Sequence, residues 1–124
     1  MPEQSFPAML EAVDDACTWV GIAVRSLKPR RHDLATTAVD SVRGMVESAI
    51  RNTPDERHVT VRVTHTTGDL KIEVRNPGRA SGGPNSWAKL SSTVREFGSS
   101  CTDDGHTAWI LLPLAPQARE QVAS

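Results

Sequence analysis

The longest regular pattern in the chain lies in DLATTAVDSVRGMVESAIRN, where apolar side chains recur at three- and four-residue spacing. This pattern predicts a helix over residues 33–52 with one buried stripe. Asp33 stands where an N-cap acceptor belongs, and Thr53-Pro54 prevents the helix from continuing. The side opposite the stripe includes Gly44 and Ser48, and we look for function there.

The flanking segments carry weaker patterns. Residues 1–6 are polar and predict a flexible arm or a short edge strand, and a first helix is expected from Pro7 to Leu27 with the proline in its first turn. Strict alternation predicts two antiparallel strands over residues 58–65 (HVTVRVTH) and 70–75, with a turn at residues 67–69. Each strand has one apolar face to bury.

The second half of the chain is less regular. Residues 76–86 (NPGRASGGPNS) predict a loop, residues 87–97 a modest helix closed by Gly98, and residues 99–105 a second loop. The segment HTAWILL, residues 106–112, is the most apolar strand, and we expect it to be covered on more than one side. Residues 115–124 have the composition of a frayed C-terminal tail.

These elements predict a single α+β domain over residues 1–124. A chain of this length can bury one core, and helices packed on one face of a mixed, mainly antiparallel sheet would bury both helical stripes in a two-layer sandwich. The other face of the sheet would stay partly wet.

Composition restricts the classes of function. The formal net charge is −1 with both signs interleaved, so no nucleic-acid partner is expected. No apolar run approaches the roughly 20 residues of a membrane span, and the N-terminus lacks the pattern of a secretory signal. The expected location is cytoplasmic, where Cys17 and Cys101 would be reduced, small and partly buried side chains.

The common catalytic signatures are absent. The four histidines lack metal-ligand spacing, and no serine sits in a G-x-S-x-G elbow, so neither a metal site nor a hydrolase is expected. Residues 78–84 are glycine-rich but lack the Lys-Ser/Thr of a phosphate-binding loop. Residues 103–105 (DDG) are interpreted as a turn rather than a cation site.

The order of the motifs carries more information than any motif alone. GMVESAIRNT in the long helix, IEVRNPG ending a strand, a glycine-rich loop, EFG, and a last strand DGHTAWILLPL follow one another. This order resembles the ATP-binding domain of the GHKL superfamily, the histidine-kinase-like ATPases. It is most similar to the small domains of bacterial anti-sigma factors and serine-protein kinases, over residues 6–114.

The resemblance implies where a nucleotide site would lie. In that family the long helix carries a glutamate and, four residues later, an asparagine that holds Mg²⁺. Here Gly44 occupies the glutamate position and Ser48 the magnesium-ligand position. Asn52 remains a candidate nucleotide contact, but its spacing of five from Glu47 prevents the two from replacing the lost pair.

The other family motifs are partly kept. The Asp-x-Gly motif that binds adenine corresponds to Asn76-Pro77-Gly78, in which the asparagine still accepts one hydrogen bond. Thr107 matches a threonine that the family often places near the nucleotide, although any sheet uses threonine. Residues 84–87 (PNSW) replace the glycines whose amides would hold phosphate.

We therefore expect a regulatory protein-binding module of the anti-sigma factor or partner-switching type that has lost ATP hydrolysis and kinase activity. It would need no ATP or Mg²⁺, it would have no catalytic residue, and its partner would be a sigma factor or an anti-anti-sigma-like regulator. Homodimerisation is left open. The alternative is an ATP-binding protein or serine-protein kinase with divergent motifs, and a third interpretation is an unrelated two-layer domain.

Overall fold

The computed structural model describes residues 3–30, 32–51, 53, 57–65, 68–77, 96–102 and 105–114. Within them the order of elements is β1 (Glu3–Pro7), α1 (Ala12–Leu27), α2 (His32–Arg51), β2 (His58–His65), β3 (Asp69–Asn76), β4 (Glu96–Thr102) and β5 (Gly105–Pro113). The strands form one sheet in the order β1-β2-β3-β5-β4. The predicted α+β class is confirmed.

All four strand pairings are antiparallel, whereas a mixed sheet was expected. The connections account for two of these pairings, because β2 and β3 are sequence neighbours joined by a short link, as are β4 and β5, and such neighbours pair antiparallel. Among the described strands, no parallel pair occurs.

Both helices lie on one face of the sheet, which we call the inner face, and the outer face is turned away from them. Along each central strand every second side chain is buried against the helices. These inner-face residues are Val59, Val61, Val63, Leu70, Ile72, Val74, Ala108, Ile110 and Leu112. They meet the buried stripe of α2, which is formed by Ala35, Ala38, Val42, Met45, Val46, Ala49 and Ile50.

Helix α2 lies within one residue of its predicted bounds but begins differently. Asp33 is inside the first turn, so the N-cap prediction is wrong; a carboxylate there interacts favourably with the helix dipole. At the other end the buried Thr53 folds back onto the last turn. Its hydroxyl donates to the Ala49 carbonyl at 2.6 Å and its N–H donates to the Ile50 carbonyl at 3.2 Å.

Glu3–Pro7 forms an edge strand, one of the two structures expected for residues 1–6, so the expectation of a flexible arm is wrong for residues 3–6. Pro7 belongs to β1 and pairs with His58, so α1 begins five residues later than predicted. A proline lacks an N–H and is tolerated on an edge strand. Phe6 anchors the strand to α1, with its ring edge-on to Trp19 at a centroid distance of 6.2 Å.

Strand β4 is the largest departure from the predicted elements. Glu96 and Phe97 were expected in a helix closed by Gly98, and residues 99–105 in a loop, but Glu96–Thr102 pairs with β5 throughout. The small polar residues of EFGSSCT have little helical or strand preference of their own, and pairing with β5 determines their conformation. Asn76, expected in the loop of residues 76–86, ends β3. Residues 78–95 and 115–124, with the rest of that loop, most of the predicted helix and the tail, lie outside the described residues.

Strand β5 is fully covered on the inner face alone. Trp109 and Leu111 on the outer face are only half-buried, so in the part of the chain that the structure describes the expected cover on both sides is not found. The Trp109 ring lies over Gly98, where a side chain would collide with it, and the Lys71 ammonium is 5.6 Å from the ring centroid. An aromatic ring on the outer face thus remains partly exposed.

Two further findings concern the cysteines and membranes. Cys17 is buried in α1, but Cys101 on β4 is exposed, so the prediction of a partly buried side chain is wrong for Cys101. Neither helix in the described part of the chain has the length and apolar composition that a membrane crossing requires.

We expect Ile72→Ala to lower the free energy of unfolding by about 2–5 kcal/mol, because Ile72 is 0% exposed on the central strand and its truncation leaves a cavity. The matched variant Ile22→Ala, at a site 58% exposed on α1, should change stability by no more than about 0.5 kcal/mol. Urea denaturation of both variants measures the difference. Equal losses would contradict the packing described here.

Candidate functional site

The two predicted site positions on α2, Gly44 and Ser48, offer few functional groups. Gly44 and Ser48 are both half-buried and lie one helical turn apart. A glycine contributes no side chain there, and a serine contributes one hydroxyl, which is a weak ligand for a metal-bound phosphate compared with a carboxylate or an amide oxygen. Asn52 and Gly78, two further predicted site residues, lie outside the described residues.

Asn76 ends β3 on the inner face, on the same side of the sheet as α2. It is 1% exposed and pairs across the strands with His106, which is 8% exposed. Among the described residues the Nε2 atom of His106 has no hydrogen-bond partner, and burial lowers the pKa of the imidazole. The structure therefore brings together a buried amide and a neutral imidazole at the end of the apolar rows.

Sequence reasoning missed His106. The alternation of β5 supplies the signal, because His106, Ala108 and Ile110 share the inner face and a histidine at the start of that series must be buried with them. Its neighbour Thr107 points to the outer face, where it lies opposite Arg75. The Thr107 side chain thus lies on the side of the sheet away from α2 and from the Asn76 side chain.

Gly105 holds the two strand ends together. Its φ angle is +153°, a backbone conformation that residues with a side chain rarely adopt. A Cβ atom at this residue would collide with the Asn76 carbonyl and would lie 3.0 Å from the Pro77 Cα. Only glycine lets β5 begin this close to the end of β3. The pairing of Asn76 with His106 depends on that close approach.

The outer face carries a cavity of about 420 Å³. Its lining is polar and charged, and consists of Glu3, Arg57, His58, Thr60, Arg62, Glu73, Arg75, Asn76, Pro77 and Thr107. The Arg62 guanidinium lies 2.9 Å from the Glu3 carboxylate and 3.8 Å from that of Glu73. The predicted Thr107 therefore belongs to an outer-face cavity rather than to the layer between helices and sheet.

An exposed ion pair joins the two helices. Arg43 of α2 donates to the Asp14 carboxylate of α1 at 2.9 Å, and this hydrogen bond raises the pKa of Arg43. Burial raises the pKa of the nearby Cys17 thiol, although the Arg43 charge opposes that shift. Cys17 therefore stays a protonated packing residue rather than a thiolate nucleophile.

Comparisons with known proteins assign no family. No protein-family model matches the chain, and no curated protein matches its sequence. In the described ranges, no three His, Cys, Asp or Glu side chains lie close enough together to hold a metal ion. The chemistry available is hydrogen bonding at Asn76 and His106, and charge with hydroxyl groups on the outer face.

We expect Gly105→Ala to destabilise the protein by about 1–3 kcal/mol, because alanine must adopt the strained φ and its methyl group meets the Asn76 backbone. Gly68→Ala is the matched control, since no atom lies within 4 Å of an added Cβ at Gly68. Thermal unfolding of both variants measures the contrast. A Gly105→Ala protein as stable as Gly68→Ala would show that the close approach is not required.

His106 predicts a pH dependence of stability. Its pKa is lowered in the folded state, so the unfolded chain binds the proton more readily, and this residue's contribution is present above the unfolded pKa of about 6.5 and is lost as the pH falls through the folded value. We expect unfolding free energy to decrease between about pH 7.5 and pH 5.5, and the decrease to be smaller in His106→Gln.

The matched control is His65→Gln, at an exposed position on β2. Urea denaturation at each pH measures the slope, which is independent of any constant loss that the His106→Gln substitution causes. A slope that changes equally in both variants would contradict the role of burial at His106.

Proposed function

We propose that the chain is a regulatory protein-binding module of the anti-sigma factor or partner-switching type, built on the histidine-kinase-like ATPase fold and without ATPase or kinase activity. The observation that carries the proposal is the chemistry of α2. At Gly44 and Ser48, where the resembling family places a carboxylate and an amide, neither group is present.

Phosphoryl transfer needs precise positioning and neutralisation of phosphate charge by a metal and fixed donors. A glycine cannot polarise a nucleophile, and one serine hydroxyl is a poor substitute for the asparagine that would hold Mg²⁺. Asn76 retains a hydrogen-bonding group but no charge with which to select the adenine amino group. The chain thus keeps the fold of the family it resembles and lacks the groups for phosphoryl transfer.

The proposed partner surface is the exposed side of α1 and the turn before it. Ile22 is 58% exposed on that helix, and Met9 and Leu10 in the turn are 52% and 54% exposed. Large apolar side chains are costly to leave in water and are typical anchors of protein interfaces. The partner would be a sigma factor or an anti-anti-sigma-like regulator.

The first test is isothermal titration calorimetry with ATP and ADP, each with and without Mg²⁺. We expect no binding at concentrations that would detect a micromolar dissociation constant. Micromolar binding of MgATP would contradict the proposal and favour the alternative, an ATP-binding protein or serine-protein kinase with divergent motifs.

The second test measures binding to a protein partner, which is first isolated by affinity capture on this chain and then purified. Ile22→Asp should weaken its binding at least about tenfold, because it places a charge in the apolar surface. His65→Asp adds the same charge at an exposed position on β2 and should have little effect. A partner that binds both variants equally well would refute the assignment of this surface.

A further inference from the structure

A continuous row of side chains crosses the outer face of the sheet. Directly opposite residues on neighbouring antiparallel strands share a face and lie about 4.5–5.5 Å apart at their Cβ atoms. Across β1, β2, β3, β5 and β4 the successive partners are Ser5, Thr60, Arg75, Thr107 and Ser100. One arginine is therefore flanked on both sides by hydroxyl groups.

Two hydroxyl groups of this row are hydrogen-bonded to each other. The Ser5 and Thr60 oxygens lie 3.1 Å apart, and the accepting hydroxyl keeps its own proton for another partner. Thr107 lies on the opposite side of Arg75. The row thus places a hydroxyl-bearing residue on each side of Arg75, with no carboxylate in it.

The neighbouring row contains Glu3, Arg62 and Glu73. There Arg62 pairs with both carboxylates, and Lys71 of the next row lies 3.9 Å from Glu73. Among the described residues, Arg75 has no carboxylate within ion-pair distance. The cavity therefore has ion-paired side chains on one side and, on the other, an arginine charge that is available to a ligand.

We propose that this cavity binds the phosphate group of a small phosphorylated metabolite, with Arg75 as the principal phosphate ligand and Thr60 and Thr107 beside it. The guanidinium fork matches phosphate oxygens in a bidentate manner. A phosphate monoester has three terminal oxygens and can accept from the hydroxyls as well, whereas a carboxylate has two.

The size of the cavity favours a small molecule. About 420 Å³ exceeds the volume of a phosphate group and falls in the range of roughly 300–1,000 Å³ that is typical of ligand pockets. The carboxylates of Glu3 and Glu73, held by Arg62, can accept hydrogen bonds from hydroxyl groups on the remainder of the ligand. This site is on the opposite side of the sheet from α2 and is independent of the proposed loss of ATP chemistry.

Nuclear magnetic resonance of the full chain tests the proposal, with inorganic phosphate, glycerol 3-phosphate and glycerol titrated at constant ionic strength. Both phosphates should produce saturable shifts at the amides of Thr60, Arg75 and Thr107, and glycerol should produce none. Glycerol 3-phosphate should bind more tightly than inorganic phosphate, because its hydroxyls reach the carboxylate side of the cavity.

Arg75→Gln should weaken binding of glycerol 3-phosphate at least about tenfold, because the charge-assisted bidentate contact is lost. Arg25→Gln makes the same change in charge at an exposed position on α1 and should bind like the wild type. Should Arg75→Gln fail to fold, Arg75→Lys and Thr107→Val test the fork and the hydroxyl separately, and both should bind more weakly.

Four results would each overturn the proposal. The first three are an equal loss of binding in Arg75→Gln and Arg25→Gln, an absence of saturable shifts, and equal affinity for inorganic phosphate and glycerol 3-phosphate. If Arg75→Lys and Thr107→Val both bind like the wild type, the row is not the site.

Discussion

The contact between the inner face of β3 and the apolar stripe of α2 is the constraint on which the rest of the structure depends. β3 is the central strand, and Leu70, Ile72 and Val74 are almost completely buried beneath the helix. A strand repeats every two residues and a helix every 3.6, so the two surfaces match over a limited length. This contact determines which side chains of all the remaining strands face the helices, because cross-strand partners share a face.

The polar groups of the inner face lie where the apolar contact between the sheet and α2 ends. At the last pair of the β3 and β5 rows, polar residues replace aliphatic ones, and Asn76 and His106 occupy positions that the neighbouring rows have already removed from water. The cost of charging an imidazole in such a place depends on the packing beyond it. Gly105 allows the start of β5 to come close to the end of β3, and so it allows Asn76 and His106 to pair in this buried place.

Much of this fold could be predicted from local patterns. The bounds of β2 are as its alternation predicts, and α2 and β3 differ by a residue at each end, because long periodic segments make contacts that sequence spacing already implies. β4 could not be predicted, since EFGSSCT has no apolar alternation and becomes a strand only beside β5. The same limitation applies to the sites. Gly44 and Ser48 could be located on the helix from sequence, but the outer-face row requires the strand order, which no local pattern contains.

Successive side chains of each strand face opposite sides of the sheet, and this alternation affects how the sequence of the protein can change during evolution. On β5, His106 and Thr107 are covalent neighbours, yet one belongs to the folding core and the other to a solvent-facing surface. Apart from Gly105, the odd-numbered positions of β3 and β5 face away from the helices, and substitutions there leave the interlayer packing untouched. Mutation and selection can therefore remodel one surface while the other stays constant. A combinatorial library restricted to those positions would change binding specificity on a scaffold of nearly constant stability, whereas deletion of one residue within either strand would exchange the two surfaces.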